Sequence, residues 1–329
     1  MSYLLLAAYQ ISDRILDRLG LPPIDETSMA DLIDEVNAIE PDSSLGPILT
    51  QADAPRLFEI LERLSHKIGS RFPSEIRLSH LPTCGVIEHT VNSYYRRPIL
   101  VLGLPCLHVW SIDELKAVLA HELAHLRHQD AVFVREILGV VQTLRRRLDS
   151  SEDEGGSLRR SLANLSATWI ESLARPASRW MEFRADHCSA ETCGPDALST
   201  AIEKMAIVQP IFREIINLNG ITPAGNVYQL FARAWKGLHG PKYEQLRKRF
   251  IDDSDWDHSD LHPPVHQRIN RLKRLQSKRS RQFYPSLHLL DNPPVLEQAL
   301  HNQLFSAQEP PPSVFHPFKR RSRRRRSKS

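Results

Sequence analysis

His121, Glu122 and His125 stand together as H-E-x-x-H within His121-Glu122-Leu123-Ala124-His125. On a helix, positions i and i+4 share one face, so both imidazoles point the same way. Two neutral ring nitrogens at that spacing fit two corners of a tetrahedral zinc site. Glu122, beside them, is placed to act as general base toward a water on the metal. A charged helix with two unrelated histidines would read the same locally, so the metal reading needs a third ligand.

The residues around the motif predict that helix. Ser111-Ile112-Asp113-Glu114 reads as an S-x-x-E capping box opening an apolar run. Leu115, Val118, Leu119, Leu123 and Leu126 then recur at helical spacing, with His121, Glu122 and His125 along one stripe. The third ligand comes from Arg179-Trp180-Met181-Glu182-Phe183-Arg184-Ala185-Asp186. Glu182 and Asp186 are again i and i+4 on one face of an expected helix, which Pro176 opens and Gly194 closes. Glu182 has ligand chemistry, and Asp186 can accept the N–H of a ligand imidazole and fix its tautomer. A solvated acidic face balanced by Arg179 and Arg184 is the plain alternative for this pair.

A third segment, Asp260-Leu261-His262-Pro263-Pro264-Val265-His266-Gln267-Arg268-Ile269-Asn270-Arg271-Leu272, puts a histidine before two prolines and a basic helix. Together the three segments resemble the HtpX-like and CAAX-prenyl-endopeptidase-like zinc metallopeptidases, metallopeptidase family 48. That family pairs H-E-x-x-H with a later E-x-x-A-D and a C-terminal H-P-P/S followed by R-I-x-x-L. Pro98–Leu104 and Asp113–Ala120 are similar to its strand and helix leading into the metal motif, and Leu126–Asp130 to the tail of that helix. The resemblance covers roughly residues 50–280. It implies one Zn2+ per chain on His121, His125 and Glu182, with Glu122 as general base and Asp186 behind a ligand histidine. It also implies that His262 faces the developing oxyanion, with Arg268 nearby. The expected fold is α+β and mostly helical, zincin-like, with a small sheet beside the metal-binding helix. One departure is evident: Thr83-Cys84-Gly85-Val86-Ile87 stands where the family carries an Asn-Ala-Phe-like edge strand.

The implied activity is a zinc-dependent metalloendopeptidase acting on a protein or peptide substrate. Glu122 would take a proton from water and pass it to the leaving amine, so no Ser, Cys or Thr nucleophile is required. Cys84, Cys106, Cys188 and Cys193 lack C-x-x-C spacing and read as small buried hydrophobes rather than ligands. His128, His187 and His266 read as ordinary histidines.

The chain has 329 residues, room for one catalytic domain with appendages. Four cysteines argue against a disulfide-stapled secreted protein. The start, Met1-Ser2-Tyr3-Leu4-Leu5-Leu6-Ala7-Ala8-Tyr9, lacks the basic n-region and cleavage site of a signal peptide. No run approaches the about 20 apolar residues of a membrane span; the nearest, Val132–Val141, is broken by Arg135 and Glu136. Many relatives carry a membrane hairpin between the two metal motifs. Here the interval predicts two amphipathic helices, roughly 131–148 and 158–175, joined by the acidic Asp149–Ser157. A cytoplasmic location, at most peripheral to a membrane, is expected.

Residues 1–50 read as a helical N-terminal segment, 51–285 as the zinc metallopeptidase domain, and 286–329 as a Pro-rich, then Arg-rich, disordered tail. Within the domain a helix is expected over 54–68, strands near 75–79, 84–91 and 98–104, and a helical bundle from Gly194 to about residue 280. The formal charge is +4, and eight basic residues fall in 319–329, which leaves −4 on residues 1–318. Basicity is therefore a property of the tail, which suits nucleic acid or anionic lipid as a partner and equally a solubilising tail with no dedicated partner. The competing function is a non-catalytic metal-scaffold protein docking through that tail. Intact Glu122 favours the peptidase, because a structural zinc site needs no general base.

Overall fold

A computed structural model describes residues 45–92, 95–130, 156–221, 225–252, 263–276 and 284–306. Of the helical segment expected over residues 1–50, residues 1–44 lie outside these residues, as do the helix at 131–148, His262 and the basic run 319–329, and Leu45–Ile48 is a strand rather than helix, because it pairs with residues 77–79. The chain order is β1 (Leu45–Ile48), α1 (Pro55–Ile68), β2 (Glu75–Ser79), β3 (Cys84–Asn92), β4 (Tyr95–Gly103), α2 (Leu104–Val109) and α3 (Ile112–His128). Then come α4 (Gly156–Cys193), α5 (Pro195–Ile221), α6 (Val227–Lys236), α7 (Pro241–Arg247) with a π turn (Lys248–Asp252), α8 (Val265–Leu272), a 3-10 turn (Ser286–Leu289) and α9 (Pro293–Ser306). This is the α+β, mostly helical architecture expected, with one small sheet.

The sheet has four strands in the order β1-β2-β4-β3. β2 and β4 are parallel, while β1 and β3 run antiparallel to their neighbours. β4 is central, and Ile99, Leu100, Val101 and Leu102 are each buried on their own face, so it reads as an uninterrupted apolar run. Ile76 and Leu78 of β2 and Leu100 and Leu102 of β4 pack into one core with Leu57, Leu61, Leu64 and Ile68 of α1. α3 enters the same core through Leu115, Val118, Leu119, Leu123 and Leu126. β3 is left at one margin of the sheet, beside α3.

Gly103 ends β4, donating to the Thr83 carbonyl at 2.6 Å. A Cβ there would overlap the Leu81 carbonyl oxygen and lie 2.6 Å from Thr83 N. Overpacking typically costs 1–3 kcal/mol, and backbone atoms yield less than side-chain tips. Gly103→Ala is therefore expected to destabilise by about 3 kcal/mol, read as a lower urea midpoint at unchanged slope. An unmoved midpoint would show that the β3–β4 corner adjusts.

Three expectations need correction. First, α4 is one 38-residue helix with Pro176 inside it, not two helices meeting there. Proline removes one ladder bond at a cost of about 3 kcal/mol. The buried face carrying Met181, Ala185, Ser189 and Ala190 offsets that loss. Second, order does not stop at residue 285. Ser286 donates from its backbone to Trp110 O at 2.9 Å, and α9 buries Leu300 completely. The prolines read as tail composition, Pro293 and Pro294, instead open α9, where a missing N–H costs nothing. Third, only Cys106 is fully buried; Cys84, Cys188 and Cys193 are half-buried, and all four are free thiols. Among the described residues no helix is long and apolar enough to cross a membrane.

Candidate metal centre

The metal helix α3 opens on a complete capping box. Ser111 Oγ accepts from Glu114 N at 3.2 Å, and Glu114 Oε2 accepts from Ser111 N at 2.7 Å. Lys204 on α5 pairs with the same carboxylate at 2.7 Å, fixing the start of α3 against the body. α4 lies close to α3 because the residues between them are small. Ala117 and Ala190 share a cluster, and Ser189 Oγ donates to Ala117 O at 2.6 Å. Helix separation follows the size of the contacting side chains, so this seam lets Glu182 and Asp186 reach the histidines.

Nε2 of His121 and Nε2 of His125 lie 3.0 Å apart. Glu182 Oε2 is 3.5 Å from His121 Nε2, and Oε1 is 3.7 Å from His125 Nε2. Zinc bonds of about 2.0–2.1 Å at tetrahedral angles put neighbouring ligand atoms about 3.3 Å apart. The observed separations bracket that value, and His121-His125-Glu182 is a group able to hold a metal ion. His121 and Glu182 are buried and His125 is half-buried, so the cluster is most exposed at His125. Glu122 is not part of the cluster. Its Oε2 accepts from Val86 N on β3 at 3.3 Å, so it stands between the metal helix and the edge strand.

Asp186 and Arg268 complete the first wall. Asp186 Oδ1 lies 3.0 Å from His121 Nδ1, as expected for a carboxylate that frees Nε2 for a metal. Arg268 of α8, expected near the reacting carbonyl, is half-buried and pairs with the two carboxylates. Its guanidinium donates to Asp186 at 2.6 and 3.0 Å and lies 3.1 Å from Glu182 Oε2. Burial works against all these charges, and their mutual contacts outweigh it. Asp186 is held below the usual carboxylate range by Arg268 and His121. Arg268 is pushed up by Glu182 and Asp186. His121 is raised to about 9 by Asp186 and Glu182, against both burial and Arg268.

Asp130 was not read as a site residue, yet it is buried in the second wall. Its Oδ2 is 2.8 Å from His125 Nδ1, and its Oδ1 accepts from Arg184 Nη2 at 2.5 Å. The signal in the sequence was faint: a carboxylate one residue past the helix cap. The reversal depends on Gln129 at φ 56, the one non-glycine residue at positive φ among the described residues. His187 faces solvent, paired with Glu191 at 3.2 Å, and neither it nor His128 or His266 joins the cluster.

A family model described as Peptidase family M48 matches residues 57–276. A "Protease HtpX homolog" of Syntrophobacter fumaroxidans is 28% identical over 179 residues, covering 48% of this chain and 61% of that protein. Another, from Pyrococcus furiosus, is 26% identical over 243 residues, covering 69% of this chain and 76% of that protein. Among solved structures, the crystal structure of S. mikatae Ste24p matches 81% of this chain and 62% of its own at 15% identity, with a TM-score of 0.43.

Proposed function

The chain belongs to peptidase family M48, and on that premise we propose that it is a zinc-dependent metalloendopeptidase. The observation that carries this reading is the convergence of His121, His125 and Glu182 from two helices, with Glu122 next to His121 in the chain and outside the cluster. These three residues would hold the ion. When bound, zinc acts as a Lewis acid and lowers the pKa of its water to about 7. Glu122 takes the proton from the attacking water at its carboxylate and returns it to the departing amine nitrogen. Val86 N–H, 3.3 Å from Oε2, holds that carboxylate toward the cleft. Arg268 holds Glu182 and Asp186 in place rather than touching substrate. An extended peptide would lie along β3, whose position at the sheet margin suits strand addition.

The test is metal analysis and peptide-library cleavage by the full chain. One zinc per chain with endopeptidase products is expected, both lost in a His121→Ala/His125→Ala double variant. Undiminished zinc in that variant would sink the ligand set. Stoichiometric zinc in wild type without cleavage of any peptide would sink the catalytic half.

Zinc uptake also has a proton signature. With His121 raised to about 9, the metal-free chain carries a proton there at neutral pH that zinc must displace. Apparent zinc affinity is expected to rise about tenfold per pH unit on approaching that value, with proton release in calorimetry across buffers of different ionisation enthalpy. Uptake without proton release would mean that His121 is already neutral.

A further inference from the structure

Each of the two ligand histidines has a carboxylate beside its Nδ1 and an arginine on that carboxylate. His121 meets Asp186, and Arg268 grips Asp186. His125 meets Asp130, and Arg184 grips Asp130. We infer that Asp130 and Arg184 form a positioning pair for the metal centre, in which Asp130 fixes the ring and tautomer of His125 and Arg184 fixes Asp130. This rests on the zinc reading above and extends it to two residues outside the ligand set.

Asp130 is 4% exposed. A carboxylate that deeply buried is rare unless paired, and here each oxygen has its own partner: a ring nitrogen on one, a guanidinium on the other. A carboxylate oxygen 2.8 Å from Nδ1 is an acceptor for the ring N–H on that side and leaves Nε2 for the metal, the tautomer such a ligand requires. The backbone supports the same arrangement. Gln129 in the left-handed region closes α3, with its N–H toward His125 O and Leu126 O. The chain thereby turns back, so that a residue five positions after His125 meets its ring. Arg184 approaches from α4, two residues beyond Glu182, with its guanidinium 4.5 Å over the Trp180 ring. That stacking limits where the arginine can go, so the pair is braced from the helix that also supplies the third ligand.

Neither side chain is a catalytic residue, since Asp130 acts through His125 and Arg184 through Asp130. Removing the partner of a ligand histidine typically costs 10–100-fold in metal affinity. Asp130→Asn is expected to weaken zinc binding by roughly that factor, measured by competition with a chromophoric chelator. The visible spectrum of bound Co2+ should shift, because ligand geometry sets it. Asp130→Glu should recover part of both. Arg184→Ala should weaken zinc less than Asp130→Asn, and the double variant should bind no worse than Asp130→Asn alone, because the arginine acts through the aspartate. Thermal melts of the metal-free proteins separate this from loss of fold, and Arg184→Ala carries the test if Asp130→Asn does not fold. Wild-type affinity and an unchanged Co2+ spectrum in Asp130→Asn, or fully additive losses in the double variant, would overturn the inference alone. Failure of folded wild type to bind zinc would overturn the zinc reading and this inference with it.

Discussion

Glu122→Gln is expected to lose peptide hydrolysis by about 10²–10⁴-fold while keeping its zinc. The amide has nearly the same shape and can still accept the Val86 N–H that now reaches Oε2 at 3.3 Å. Glu122 is not a member of the ligand cluster, so metal retention should be unaffected. What the amide lacks is a basic oxygen, and it can neither take the proton of water nor deliver one to the amine. The loss should therefore appear in kcat rather than KM. Two measurements settle it: zinc per chain by elemental analysis, and kcat/KM on one peptide found in the library screen. Activity within a few-fold of wild type would remove Glu122 from the general-base role. Loss of zinc together with activity would instead make it part of the metal site.

The features legible in the sequence were those that depend on local spacing. The Ser111–Glu114 box forms as read, because both its bonds lie within four residues. The strands near 75–79, 84–91 and 98–104 appear with ends shifted by a few residues, since β-branched and aliphatic runs between turns leave little choice. The meeting of His121, His125 and Glu182 was expected from two i,i+4 pairs and a resemblance, and the helices that carry them do converge. What escaped depends on distant partners. β1 is four residues containing a proline, too short for a periodic signal, and its strand character comes from pairing with β2. α9 hides in proline-rich composition and is revealed only by the core that takes Leu300. Asp130 required knowing that a glutamine adopts φ 56 and that Arg184 arrives from another helix. Pro176 was misread because a local boundary rule takes no account of the face that α4 buries.

Arg268→Met should produce the largest change in stability, and its size should depend on metal. In the metal-free chain Glu182 and Asp186 lie 6% and 4% exposed, with Arg268 contacting both carboxylates. Removing one partner of a buried ion pair costs about 3–5 kcal/mol, because the remaining charge keeps its desolvation penalty. Here one substitution takes the same guanidinium from two buried carboxylates beside the raised His121. The metal-free variant is therefore expected to melt roughly 10 °C below wild type. A divalent ion on His121, His125 and Glu182 returns positive charge to the same spot. Zinc should thus raise the midpoint of Arg268→Met by more than it raises that of wild type, and Arg268→Lys should fall between the two. Differential scanning calorimetry with and without zinc gives all the required values. If Arg268→Met melts with wild type in the absence of metal, the buried carboxylates are neutralised by protons rather than by the guanidinium. If it is destabilised equally with and without zinc, Arg268 supports the packing of α8 against α4 and not the charge balance of the metal centre.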